Sequence, residues 1–81
     1  MTKIFESEYN GWDESATKMH VYALEDDKEY WQFDEMNFDD LCEYFNVHDE
    51  YNVAPGARYK NYSFHLEGRH LIVYETVAFN V

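Results

Sequence analysis

The feature that most restricts the fold is a period-two alternation of side chains between residues 58 and 79. Residues 58–66 alternate along one run, and residues 71–79 alternate along a second. The Glu67-Gly68 pair between the runs is typical of a tight turn, so we expect a β-hairpin here. The second run is apolar on both faces. It should therefore lie in the centre of a sheet or be covered by a helix.

The first third of the chain predicts further strands. Residues 3–9 alternate weakly and end at the turn-prone Asn10-Gly11 pair, which indicates a possible first strand. Residues 18–24 alternate more clearly. After the polar stretch 25–28, residues 29–33 are rich in aromatic side chains, which favour strands. We expect the segments 18–24 and 29–33 to form a hairpin.

One amphipathic helix is predicted between these hairpins. Four apolar residues recur at the i, i+3, i+4, i+7 spacing of a buried helical stripe: Phe38, Leu41, Cys42 and Phe45. Asn37 is the expected N-cap, with Asp40 three residues later in a variant of the capping box. The helix should end near Asn46, and residues 48–57 should form a loop closed by Pro55-Gly56.

These segments predict an α+β fold, a small antiparallel sheet of four or five strands with one helix packed on one face. The order is ββαββ, with a possible extra first strand. At 9.8 kDa the chain is too small for a second core, so we expect residues 1–81 to form a single domain. The expected core residues are Phe33, Phe38, Phe45, Phe64, Phe79, Val21, Leu41, Leu71 and Val73.

The negative charge of the chain is concentrated in its first fifty residues. The formal net charge is -11, yet residues 51–81 hold only two acids against three bases. Eleven acids and one lysine lie between residues 25 and 50: Glu25, Asp26, Asp27, Glu29, Asp34, Glu35, Asp39, Asp40, Glu43, Asp49 and Glu50. This balance excludes direct binding to nucleic acid phosphates and disfavours an anionic membrane surface.

An acidic band of this kind can copy the charge pattern of a nucleic acid. Acids one helical turn apart have Cβ atoms about 5–6 Å apart, comparable with the spacing of phosphates along a DNA strand. Trp31, Tyr44 and Tyr51 would supply apolar anchors beside the acids. The alternative is an acidic helix face that is merely solvated, its repulsion screened by salt. The band is the predicted partner-binding site.

A very small, acidic, aromatic-rich and cysteine-poor α+β chain resembles the phage-encoded inhibitors of host defence enzymes. These include anti-restriction proteins, anti-CRISPR proteins and glycosylase inhibitors. The resemblance implies a DNA mimic that blocks the basic groove of a nuclease or defence effector complex. A generic interaction or regulatory subunit with a basic partner, such as a ribonuclease inhibitor or immunity protein, has the same composition.

No catalytic or metal-binding motif accompanies the acidic band. His48-Asp49-Glu50 is a local cluster of adjacent residues, whose side chains rarely converge on one ion, so no metal or other cofactor is expected. Cys42 lies on the apolar stripe, where a thiol is inert. With a single cysteine and no apolar leader, we expect the cytoplasm, that of the host if the chain is phage-encoded. The sequence is compatible with a monomer or a homodimer.

Overall fold

The computed structural model describes residues 1–10, 15–54 and 57–79, which form one antiparallel sheet of five strands and two short helices. In chain order the elements are β1 (Thr2–Asn10), β2 (Ser15–Ala23), α1 (Asp27–Asp34), α2 (Phe38–Phe45), β3 (Glu50–Ala54), β4 (Ala57–Glu67) and β5 (His70–Phe79). Each neighbouring pair of strands in the sheet is antiparallel.

The strands are ordered β1-β2-β5-β4-β3 across the sheet. The prediction that the last strand is central is confirmed, since β5 lies between β2 and β4. Ile72 of β5 stands directly opposite Val21 of β2 and His65 of β4. The hairpin of β4 and β5 turns at Gly68, whose φ of 56° lies in the left-handed region that glycine adopts without steric cost.

Both helices begin at side-chain caps. Asp26 accepts the backbone N–H of Glu29 at 2.9 Å and starts α1. Asn37 and Asp40 form the capping box predicted for α2, and Asn46 ends that helix in the left-handed conformation. The predicted cap and end of α2 are therefore confirmed.

The core lies between the two helices and one end of the sheet. Leu71 and Val73 project from β5 towards the helices and are buried with Leu24, Phe33 and Leu41. Fully burying an aliphatic or aromatic side chain of this size contributes about 1.5–3 kcal/mol. Around this centre, half-buried hydrophobic side chains extend the cluster: Met1, Tyr22, Tyr30, Met36, Phe45, Phe64 and Leu66.

The predicted fold, with one helix on the sheet, is wrong in two segments. Residues 29–33 belong to α1 rather than to a strand, because Asp26 caps a helical turn and Phe33 on that helix reaches the core. The predicted loop over residues 48–57 contains β3, which covers the outer edge of β4 through the pairing of Tyr51 with Tyr59. Gly11 of the first expected turn and Pro55-Gly56 lie outside the described residues.

The predicted core was partly wrong as well. Phe38 stays 44% exposed, although its ring contacts Phe64 edge-on at 5.8 Å. Val21 is half-buried and faces away from the helices, since it alternates with core-facing Tyr22. Leu24 was not predicted and is buried where β2 leads into α1. The side chain of Phe79 lies outside the described residues.

Candidate partner-binding site

The helical layer carries nine of the eleven acids predicted to bind a partner, and Asp49 and Glu50 lie at the start of β3. Their neighbours divide them into two groups. One group is held by hydrogen bonds or ion pairs within the molecule, and the other faces solvent.

The amino group of Met1 forms ion pairs with two acids near the start of α1. It lies 3.0 Å from a Glu29 carboxylate oxygen and 3.5 Å from one of Glu25. The hydrogen bond to Glu29 is the main reason that the pKa of this amine is raised above its usual 8.0. Glu25 and Glu29 therefore anchor the first residue of the chain to the helical layer.

Asp27 is held by a base from the hairpin turn between β4 and β5. Arg69 donates a hydrogen bond to its carboxylate, and both side chains are exposed. This ion pair borders an open depression of about 360 Å³ that is also lined by Tyr30, Trp31 and Gly68. Trp31 is 59% exposed there. The predicted anchor Trp31 therefore lies beside a neutralised acid.

Asp49 and Glu50 make contacts at the pairing of β3 with β4. The Asp49 carboxylate accepts the backbone N–H of Tyr62 at 2.9 Å, which extends the pairing between β3 and β4 by one side-chain contact. Glu50 lies 3.4 Å from His48 Nε2 and pairs across the sheet with Lys60. Asp49 therefore links the start of β3 to β4 by a hydrogen bond, and the contacts of Glu50 are with the charges of its neighbours.

Four exposed acids of the helical layer take part in no hydrogen bond or ion pair within the described residues. These unpaired acids are Asp34, Glu35, Asp39 and Glu43. Three of them lie at helix C-terminal ends, where the helix dipole disfavours negative charge by about 0.3–1 kcal/mol each. Neither helix has a basic residue in its last turn to offset this.

An open groove of about 470 Å³ includes one of these acids, Glu43, and is also lined by Met36, Asp40 and Tyr44. We call it the acidic groove. Tyr44 is 49% exposed, and its ring is held edge-on by Phe33 at 5.1 Å and by Phe45 at 5.2 Å. Two carboxylates, a thioether and an aromatic face can accept the apolar stem and charged head of a lysine or arginine.

The groove joins some of the predicted site residues and separates others. Tyr44, Asp40 and Glu43 are brought together, and Met36 is a lining residue that the sequence analysis missed. Its position between the two predicted acidic segments was the available signal. Tyr51 is 70% exposed but lies on the opposite side of the sheet, because it pairs with Tyr59 and follows Glu50 on the helix side.

The metal-binding potential of the described residues and the state of Cys42 follow from the positions of their side chains. Among residues 1–10, 15–54 and 57–79, no group of three or more His, Cys, Asp or Glu side chains could hold a metal. The Cys42 thiol is buried, and its desolvation raises the pKa of the thiol above its usual 9.0. No helix in this part of the chain is long and apolar enough to span a membrane.

Comparisons with known proteins give a short match. The chain is 47% identical over 54 residues to the proteins COS4, COS6 and COS1 of Saccharomyces cerevisiae. This match takes in 65% of the chain and 14% of each yeast protein, so the chain spans about one seventh of the length of these relatives. No protein-family model and no solved structure matches the chain.

Proposed function

We propose that this protein is a non-enzymatic inhibitor that occupies the basic nucleic-acid-binding groove of a nuclease or defence effector. The observation that carries the proposal is the set of unpaired acids on the helical layer, next to the acidic groove. Acids that had only a structural role would be expected to have internal partners, as Asp49 and Asp27 do.

The spacing of these acids supports a charge-mimicking role. Asp39 and Glu43 are one helical turn apart, so their Cβ atoms lie about 5–6 Å apart. Two exposed carboxylates at this distance can meet basic side chains that normally contact successive phosphates. The net charge of -11 also speeds encounter with a positively charged partner.

The acidic groove gives the interface a place for one basic side chain. A lysine or arginine stem would pack on Met36 and the Tyr44 ring, and its head would reach Asp40 and Glu43. Tyrosine with a fixed ring loses little conformational freedom on binding and is common at interface hot spots. The proposed setting is a reducing cytoplasm, in keeping with the free thiol of Cys42.

A competition experiment tests this proposal. A tagged copy is used to isolate its basic partner, and the complex is titrated with duplex DNA and with salt. We expect saturating DNA to displace the protein, and we expect affinity to fall steeply as salt rises. The double variant Asp39→Asn, Glu43→Gln should weaken binding at least tenfold. The matched control Glu8→Gln, Glu67→Gln removes the same charge from exposed strand positions and should bind as the parent does.

A second candidate is an interaction or regulatory subunit whose basic partner does not bind nucleic acid. The observation in its favour is the size of the unpaired set. Four acids and one groove are enough to bind a local basic patch on a partner. Mimicry of a long row of phosphates would require more unpaired acids. In this case the double variant would still lose binding, but DNA would leave the complex intact.

A further inference from the structure

The sheet has one face that no helix of the described residues covers. The helices contact the face that bears Leu71 and Val73, so the alternating residues of β5 point to the other side. Cross-strand register assigns the rest of this open face. Its described members include Phe5, Ser7, Thr17, Met19, Val21, Ile72, Tyr74, Thr76, Ser63, Tyr59 and Tyr51.

The open face combines apolar side chains with hydroxyl groups and is almost free of charge. Val21 of β2 pairs with Ile72 of β5, and two residues further along the strands Met19 pairs with Tyr74. Phe5 continues the Val21 row onto β1 and is 51% exposed. Among the side chains that the register assigns to this face, the acidic and basic ones are Glu67, His65 and His70, and all three lie at one end. This is unusual in a chain with 23 charged residues out of 81.

The shape of the molecule indicates that this face lacks a second layer. The radius of gyration is 14.0 Å, whereas a globular chain of this length has about 12 Å. The molecule measures 44 by 23 by 15 Å, so its broad side covers on the order of 1,000 Å². A stable interface needs about 800 Å² from each partner. The open face is large enough to form one.

We propose that a second copy of this chain packs against the open face, so that two sheets form a sandwich across a two-fold axis. Like-charged chains associate only where their charges do not meet, and the open face meets that condition. Stacked sheets lie about 10 Å apart. The helical layers would face outwards, with the unpaired acids of the two copies separated by more than the screening length of about 8 Å at physiological salt. This inference is independent of the proposed function.

Sedimentation equilibrium at pH 7.5 and 150 mM salt, from 1 to 200 μM protein, tests the proposal. We expect the parent chain to form a dimer in this range. Phe5→Lys should raise the dimer dissociation constant at least tenfold, because it buries an ammonium in an interface that has no acid near β1 to pair with it. The same change lowers the net negative charge, so weaker association cannot be due to added repulsion. Trp31→Lys, on the helical layer, is the matched control and should leave the dimer unchanged.

A second variant separates packing of the faces from pairing of edge strands. Ser63 lies on the open face of β4, an internal strand, so Ser63→Lys should also disrupt the dimer while circular dichroism shows a folded chain. A dimer that persists in Ser63→Lys would mean that the β1 edge makes the contact and would overturn the proposal. A parent chain that is monomeric at 200 μM would overturn it as well.

Discussion

Asn37 and Asp40 cap α2 reciprocally, and Asp40 does so while lining the acidic groove. Asn37 Oδ1 accepts the backbone N–H of Asp40 at 2.8 Å, and Asp40 Oδ2 accepts the backbone N–H of Asn37 at 3.3 Å. Asp40 therefore contributes to both folding and the candidate interface. Changes at Asp40 will alter stability and binding together, and Glu43 is the cleaner site at which to test binding.

The capping box predicts that Asn37→Ala lowers the stability of the protein. The substitution removes an acceptor from an exposed helix start, and the free energy of unfolding should fall by about 1 kcal/mol. Urea denaturation measures this. Gln32→Ala is an exposed change within α1 and should stay within about 0.5 kcal/mol of the parent. Equal stability of both variants would show that the box does not hold α2.

Glu43→Lys should separate stability from binding. It replaces a like-charge pair with Asp39 by an attractive one and places a cation in the last turn of α2. The melting temperature should rise slightly, corresponding to about 0.5 kcal/mol, whereas partner binding should be lost. Thermal denaturation and a binding titration on the same sample check both. A variant that is more stable and still binds fully would exclude the acidic groove as the interface.

Asp49 and Glu50 should differ although they are adjacent. Asp49→Ala leaves the Tyr62 N–H without its acceptor and should lower the free energy of unfolding by about 1 kcal/mol. Glu50→Ala removes an exposed contact with His48 and a charge opposite Lys60, and it should cost less than about 0.5 kcal/mol because exposed ion pairs contribute little. Chemical denaturation of the two variants compares them directly. The reverse order would contradict the structural role given to Asp49.

The burial of Cys42 predicts that the protein loses stability at alkaline pH. Burial raises the pKa of its thiol, so the unfolded chain releases the proton above pH 9.0 while the folded chain retains it. The free energy of unfolding should be unaffected by this group below pH 9.0 and should fall as pH rises beyond it. Subtracting the pH profile of Cys42→Ala isolates the effect from the titration of lysines and tyrosines. An unchanged difference between the two profiles from pH 8 to 10.5 would show that the thiol is not desolvated.

The sequence predicted those elements that have a regular period or a local cap. The stripe from Phe38 to Phe45 and the Asn37 cap are short-range features, and both were found. Residues 29–33 were misassigned because aromatic side chains favour strands in isolation, whereas the Asp26 cap and the burial of Phe33 favour a helix. β3 was missed because the Pro55-Gly56 pair is typical of the close of a loop, whereas the residues on either side of this pair form neighbouring strands, as Tyr51 and Tyr59 show.

The sequence predicted which segment holds the acids of the candidate site, but it did not predict which of these acids have partners within the molecule. Charge counting identified the segment from Glu25 to Glu50 but could not tell which acids have partners. The amine of Met1, the guanidinium of Arg69 and the backbone of Tyr62 come from distant parts of the chain. They reduce an eleven-acid band to a smaller solvent-facing set. Only the folded arrangement also shows that Tyr51 lies on the other side of the sheet.

The central place of β5 has a consequence for how the protein is made. β5 is the strand that joins the β1-β2 pair to the β3-β4 pair. A ribosome releases residues in order, so the sheet cannot close before residue 79 has left the exit tunnel. Until then β1 and β2 can form only an isolated hairpin, which is marginally stable at best. Nascent chains of this protein should therefore remain sensitive to protease until β5 has left the exit tunnel.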